Sequence, residues 1–255
     1  MFQEEFLSMC NAAKAKSNFL RNNPLGYFIA SMLAGAFVGF GVLLVFSIGG
    51  QLGGIPATKL IMGVSFGIAL SLVVIAGAEL FTGNNLVMAS GFMSKTVSLG
   101  EVIKLWIVCY LGNFAGSILI ALIFVGTGLG NGAVGEFMTT SAIAKATSGP
   151  TALLFRGILC NVLVCLAVWC GFRCKSESGK LIMIFWCLFA FITTGFEHSI
   201  ANMTLFTTTL VLNVSSALTV GGAFYNLALV TLGNMIGGIL FLAVPYYIIA
   251  RKKEV

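Results

Sequence analysis

The chain has 255 residues, of which 58% are hydrophobic and 9% charged, with 31 glycines and a formal net charge of +6. Soluble domains carry about a quarter charged residues, so this composition excludes a water-soluble globule and leaves a polytopic membrane protein. The positive excess is not a nucleic-acid footprint, because the basic residues sit between and beyond the apolar runs, as membrane flanks do; the expected surroundings are a lipid bilayer, with no nucleic acid.

In chain order, residues 1–23 come first. Phe2, Phe6, Met9 and Ala13 recur at helical spacing ahead of Lys14, Lys16 and Arg21. This pattern predicts an amphipathic helix on the cytoplasmic membrane surface. It is not a signal peptide, since Glu4 and Glu5 occupy the place of the basic leader and no long apolar stretch follows. Asn23-Pro24 then marks a helix start. From 24 to 255 the chain reads as one membrane domain. Six apolar segments can be drawn, at about 27–49, 60–93, 103–127, 152–172, 181–212 and 222–249. Four fit one crossing. The second and fifth exceed the roughly 20 residues a crossing needs, and each carries a polar, glycine-containing cluster: GAELFTGNN at 77–85 and GFEHSIANM at 195–203. Two crossings with no polar loop between them are disfavoured. A single crossing with its helix interrupted is tolerated where the open backbone is buried or lines a cavity. The expected fold is therefore an all-α membrane protein of six transmembrane helices, two of them broken.

With both termini cytoplasmic, eleven basic residues face inward, including Arg251, Lys252 and Lys253. Lys59, Lys145 and Arg156 face outward, which is the bias of an inner, or plasma, membrane protein. The seven cysteines lie mostly inside apolar runs and show no CxxC spacing, so they read as packing residues rather than disulfides or metal ligands.

The two interruptions match. Gly77, Glu79 and Asn84 recur as Gly195, Glu197 and Asn202 at an offset of 118, and LGNFAGSIL (111–119) recurs as LGNMIGGIL (232–240) at an offset of 121. The chain thus reads as a duplicated three-span unit, about 24–127 and 150–250. Because three is odd, the copies must have inverted topology. That arrangement puts a pathway at the repeat interface, where half-helix N-termini favour an anion. Gly35/Gly39, Gly112/Gly116 and Gly233/Gly237 have the small-xxx-small spacing of close helix contacts.

Glu79 and Glu197 are the acids deep in the apolar runs. A charge at the bilayer centre costs about 2.5–3.5 kcal/mol on insertion scales. Two readings stay open for them: an ion or proton pathway, or structural acceptors for N–H groups freed at the helix breaks. His198, the only histidine, has no such double, since Leu80 stands at the matching position. An unpaired titratable group beside a break points to function, with Thr82 on the other break as its expected hydrogen-bond partner. Phe66, Leu70 and Phe191 precede the breaks and could narrow a pore; read alone, they are ordinary packing residues, and Lys145 alone is a solvated loop lysine. The chain has no aspartate, no metal-ligand cluster, no nucleotide-binding glycine loop and no GxSxG. No enzyme, cofactor or metal is expected.

Taken together, AGAELFTG, GILCNVLVCLAVW, GFEHSIANM and TLGN resemble the formate/nitrite transporter family over nearly the whole chain. The resemblance implies an aquaporin-like fold assembled as a homopentamer, with a pore in each protomer that passes small anions of weak acids. It also implies that Thr82 and His198 line the pore centre, that Phe66, Leu70 and Phe191 form two apolar constrictions, and that Lys145, with Asn161 nearby, attracts anions in the outer vestibule. Gly77, Glu79, Asn84, Gly195, Glu197 and Asn202 would support the breaks. IFWCLFAFITTGFEHSIANMTLF and IAKAT are nearer the nitrite and hydrosulfide branch than the formate branch, and the segment at about 213–221 is shorter than in the latter. The expected activity is permeation of nitrite, hydrosulfide or formate coupled to protonation. The competing readings are a neutral-solute channel of the water or glycerol type, against which stands the lack of paired Asn-Pro-Ala motifs, and a non-transporting receptor or scaffold.

Overall fold

The computed structural model describes residues 1–250; the basic cluster Arg251, Lys252 and Lys253 lies outside the described residues. Helix α1 (Gln3–Asn22) runs into α2 (Pro24–Leu52), which Asn23 caps by accepting from Gly26 N–H and Pro24 starts with no N–H to satisfy. The second span follows as α3 (Thr58–Ser65), a turn at Phe66–Gly67, and α4 (Ile68–Ile75). After a non-helical stretch come α5 (Phe81–Met93) and α6 (Leu99–Gly126), the latter opened by a Ser98/Glu101 capping box. A short helix α7 (Ala133–Ala146) leads to α8 (Pro150–Arg173) and α9 (Glu177–Thr194). A second stretch without helix leads to α10 (Ser199–Leu212), and α11 (Val220–Gly238) continues through a π turn at Ile239–Ala243 into α12 (Val244–Ala250). Pro245 sits just beyond that turn, and the wider winding relieves the clash of its ring with the preceding turn.

Six helical stretches are long and apolar enough to cross a membrane, from Pro24–Leu52 to Val220–Ala250. The protein is multi-pass and all-α, with no strand among the described residues. The breaks fall in the expected second and fifth segments. The turn at Phe66–Gly67 is an addition the apolar pattern could not signal, because both flanks are equally greasy.

Two helix pairs frame the bundle: α2 against α6 and α8 against α11. Both depend on glycine. A Cβ on Gly35 would overlap the Asn113 carbonyl, and one on Gly116 the Met32 carbonyl. In the other pair, Gly233 and Gly237 stand in the same relation to the carbonyls of Leu154 and Ile158. Such close approach maximises van der Waals contact, the main term holding helices together in lipid.

Helix α1 does not spend its apolar face on lipid. Phe6, Met9, Cys10 and Ala13 are buried against the bundle, Phe2 packs on Trp169 and Tyr246, Phe6 on Tyr247, and Arg173 pairs with Glu5 while lying over the Phe2 ring. The expectation of a membrane-surface helix is corrected in this respect: the amphipathic pattern was real, but its partner is the protein.

Candidate functional site

Each break is turned by a glycine in the left-handed region, Gly77 at φ 81° and Gly195 at φ 80°, a conformation that a side chain would strain. The chain then extends through Glu79-Leu80 or Glu197-His198 before the half-helix starts. Glu79 N–H donates to the Ala30 carbonyl at 3.1 Å and Glu197 N–H to the Arg156 carbonyl at 3.2 Å, which ties each break to α2 or α8.

The N–H groups freed at the half-helix starts are met by asparagines. Asn113 Oδ1 accepts from Phe81 N–H at 2.9 Å, while its amide donates to the carbonyls of Ser31 and Glu79. Asn234 repeats the clamp, accepting from Ser199 N–H at 3.0 Å and donating to the carbonyls of Gly157 and Glu197. The two glutamates therefore do not serve as the backbone acceptors that one reading assigned to them; side-chain amides reach the N–H groups from α6 and α11 at no cost in buried charge.

The carboxylates bind side chains instead. Glu79 accepts from Lys16 Nζ at 2.6 Å, Asn84 Nδ2 at 3.0 Å and Tyr27 Oη at 3.1 Å. Glu197 accepts from Lys145 Nζ at 2.8 Å and Asn202 Nδ2 at 2.7 Å, with Asn226 Oδ1 completing the amide's bonds. Each carboxylate, Glu197 buried and Glu79 half-buried, thus has a cation and at least one further donor, which a charge drawn out of water requires. Lys145 is accordingly not a free solvated lysine. Its charge is shared with Glu197, and Lys16 does the same on the side of α1.

Three cavities follow one line through the bundle. The first, about 190 Å³, opens on the α7 side and is bordered by Lys59, Lys145, Phe66, Phe191 and His198. The last, about 630 Å³, opens on the α1 side and is bordered by Lys16, Leu70, Gly77, Glu79 and Leu80. Between them lies a space of about 10 Å³, bordered by Phe66, Leu70, Leu80, Val164, Phe191 and His198, about one water's worth of room. The rings of Phe66 and Phe191 meet edge to face at 5.5 Å on one side of it, and Leu70 and Leu80 close the other.

His198 Nε2 lies 3.0 Å from Thr82 Oγ1, so the expected partnership is present. The ring stacks on Phe191 at 6.0 Å. His198 also caps α10, because its Nδ1 accepts from Ala201 N–H at 3.2 Å. With Nδ1 occupied as acceptor, the neutral ring carries its proton on Nε2 and donates it to Thr82 Oγ1. α5 and α10 approach head to head here, so both half-helix N-termini point at the same small space.

Asn161 does not join Lys145 in the α7-side cavity. It is buried, and its amide reaches the carbonyls of Thr82 and Asn234 and Asn85 Oδ1. Its place in the vestibule is corrected to that of a strut behind the two breaks. The residues that sequence reasoning missed are Lys16, Tyr27, Asn113, Asn226, Asn234 and Leu80. The offset of 121 that pairs Asn113 with Asn234 was a visible signal, as was the pairing of Leu80 with His198; nothing local marked Lys16 or Tyr27.

The chain is similar to known proteins over nearly its whole length. The family model described as "Formate/nitrite transporter" matches residues 3–248. The nitrite transporter NirC of Salmonella typhimurium is 41% identical over 254 residues, covering 97% of this chain and 92% of the relative. The formate channel FocA of Escherichia coli is 30% identical over 91% of this chain and 89% of its own length. A solved "FNT family ion channel" superposes with a TM-score of 0.93 at 39% identity, covering 98% of this chain and all of the other. A "Pentameric formate channel with formate bound" does so at 0.79 and 30% identity, covering 89% of this chain and 97% of that one. These relatives are transporters and channels rather than enzymes, and the chain belongs to the formate/nitrite transporter family.

Proposed function

We infer that the protein is a homopentamer in the plasma membrane, with both termini cytoplasmic, and that each protomer conducts small weak-acid anions, nitrite or hydrosulfide before formate. The observation that carries this reading is the contact between His198 and Thr82 across the two half-helix N-termini, beside a space of about 10 Å³ sealed by apolar side chains on both sides. Helix N-termini and N–H or O–H donors favour negative charge. The apolar walls disfavour it, because desolvation penalises the charged form and raises the pKa of an entering weak acid. A solute that is an anion in the vestibules and a neutral acid in the middle satisfies both.

The ion pairs Lys145–Glu197 and Lys16–Glu79 give each vestibule a cation whose field a neighbouring carboxylate tempers. Such a site gathers anions without trapping them. The permeant takes a proton from vestibule water as it loses its hydration, accepts a hydrogen bond from His198 Nε2–H in place of Thr82, and ionises again on the far side. Aquaporin-like inverted symmetry accounts for the head-to-head half-helices. The anion named for NirC, the more similar of the two relatives, supports nitrite for this chain.

The test is a flux panel in liposomes holding the purified protein: nitrite, hydrosulfide, formate and chloride, each at two pH values. Weak-acid fluxes that rise as pH falls, with little chloride flux, are expected. If His198→Asn and Lys145→Ala both leave flux and selectivity unchanged, the mechanism is wrong.

A further inference from the structure

Outside the pathway, one groove on the flank of the bundle stands out. It has a volume of about 400 Å³ and is walled by Phe81, Ile103, Trp106, Ile107, Tyr110 and Met235, among others. Its few polar atoms are already used inward. Trp106 Nε1 donates to the Asn84 carbonyl at 3.1 Å, and the hydroxyls of Tyr110 and Thr231 meet at 3.0 Å. What remains facing out is dry hydrocarbon.

The position of the groove across the membrane can be read from the repeat. Tyr110 and Thr231 are 121 residues apart, the offset that also relates Asn113 to Asn234. Two equivalent residues that touch each other mark the pseudo-twofold axis, which lies in the membrane plane for an inverted repeat. Ile103 lies seven residues before Tyr110 on the same helix, roughly 10 Å toward the α1 side at about 1.5 Å per residue. The groove therefore occupies one leaflet, from the midplane outward. Exposed Lys104 stands next to Ile103 near that outer end, with no acidic partner among the described residues. A lysine stem at this depth extends its ammonium to the headgroup level.

We propose that this groove is a binding site for an anionic phospholipid of the leaflet on the α1 side, with one acyl chain lying along α6 and α11 and the headgroup on Lys104. A cation without an ion-pair partner beside a one-leaflet apolar trough has the layout of such a lipid, with head and chain in register; Glu101, one turn further out, is held by Ser17 and Ser98. The site also touches the pathway. Phe81, whose ring packs on Tyr110 at 5.0 Å, directly precedes Thr82, and Trp106 holds the first turn of α5 through Asn84. A bound chain thus braces the half-helix that carries the partner of His198.

The experiment is native mass spectrometry of the purified protein titrated with phosphatidylglycerol or phosphatidylcholine of matched chains. The wild type is expected to prefer phosphatidylglycerol by about fivefold, the worth of one lysine at an anionic surface. Lys104→Ala should abolish that preference while retaining the weaker chain binding. Ile107→Trp, which fills the trough, should weaken binding of both lipids with the oligomer intact. Equal binding of the two lipids by the wild type, or a preference that survives in Lys104→Ala, overturns the proposal. Loss of the oligomer in Ile107→Trp with lipid binding spared also overturns it and assigns the trough to a neighbouring copy of the chain.

Discussion

Lys16 and Glu79 meet at 2.6 Å, and the pair reproduces, on the opposite side of the bundle, the contact of Lys145 with Glu197 at 2.8 Å. The lysine comes from α1 in one case and α7 in the other, and each of these helices lies just before the first long helix of its half. Removing Lys16 leaves the half-buried Glu79 without its cation, the costly way to break an ion pair. Lys16→Ala is expected to lower thermal stability in detergent, whereas the double variant Lys16→Met/Glu79→Gln restores it. Melting temperatures of the two variants check this; a Lys16→Ala variant as stable as the wild type would contradict it.

His198 and Thr82 form the central hydrogen bond of the proposed pathway. A hydrogen bond between neutral groups is worth about 0.5–1.5 kcal/mol, so losing the imidazole donor should cost about two- to tenfold in discrimination. His198→Asn is expected to reduce the nitrite-to-chloride flux ratio by that factor. Thr82→Val keeps the imidazole and removes its partner, and a smaller drop in the same ratio is expected. Liposome flux for the two anions measures both.

Gly116 sits where the backbone of α2 crosses α6, with no space for a methyl group. Overpacking costs about 1–3 kcal/mol where neighbours can shift, and here the neighbour is the rigid Met32 carbonyl. Gly116→Ala should therefore reduce the yield of folded protein more than Gly100→Ala, where a Cβ meets nothing. Size-exclusion profiles of the two variants decide it.

Cys10 reports on the docking of α1. Its thiol is buried, donates to Ser94 Oγ at 3.3 Å, and is pushed above its ordinary pKa chiefly by burial. A thiol with a raised pKa supplies little thiolate at neutral pH, so alkylation of Cys10 should be slow there and much slower than that of the partly exposed Cys174. Phe6→Ala, which removes the contact with Tyr247, should speed the labelling of Cys10 without changing that of Cys174. Peptide mapping after timed alkylation reads both rates.

The sequence exposed what is periodic or repeated. Hydropathy located the six crossings, and the offset of 118 located both breaks and their glutamates, because a duplicated unit writes its constraints twice. It also isolated His198 as the unmatched residue. What stayed hidden depends on contacts between distant segments. The bond from Lys16 to Glu79 spans 63 residues, and no local pattern distinguishes that lysine from the other basic residues of α1. The same holds for Asn161, whose isolated amide gives no hint of whether it faces a cavity or three buried acceptors. Helix α1 was recognised as amphipathic, but amphipathicity alone does not say whether lipid or protein covers the apolar face.

Lys16 on α1 and Lys145 on α7 play parallel parts, and a repeat drawn to include them would start one helix earlier than the apolar segments suggest. Cut after Gly126, the chain would yield two half-length polypeptides, each holding its own counter-ion, hinge glycine and amide clamp. Across the two halves, the breaks share the handshake between His198 and Thr82 and the bonds that Asn161 and Cys165 donate to the Thr82 carbonyl. Such halves resemble a primordial pair of subunits inserted in opposite directions into one membrane. Co-expressed fragments 1–126 and 127–255 are accordingly expected to reassemble and conduct nitrite, while fragment 24–126, which lacks the lysine of α1, should fail to complement.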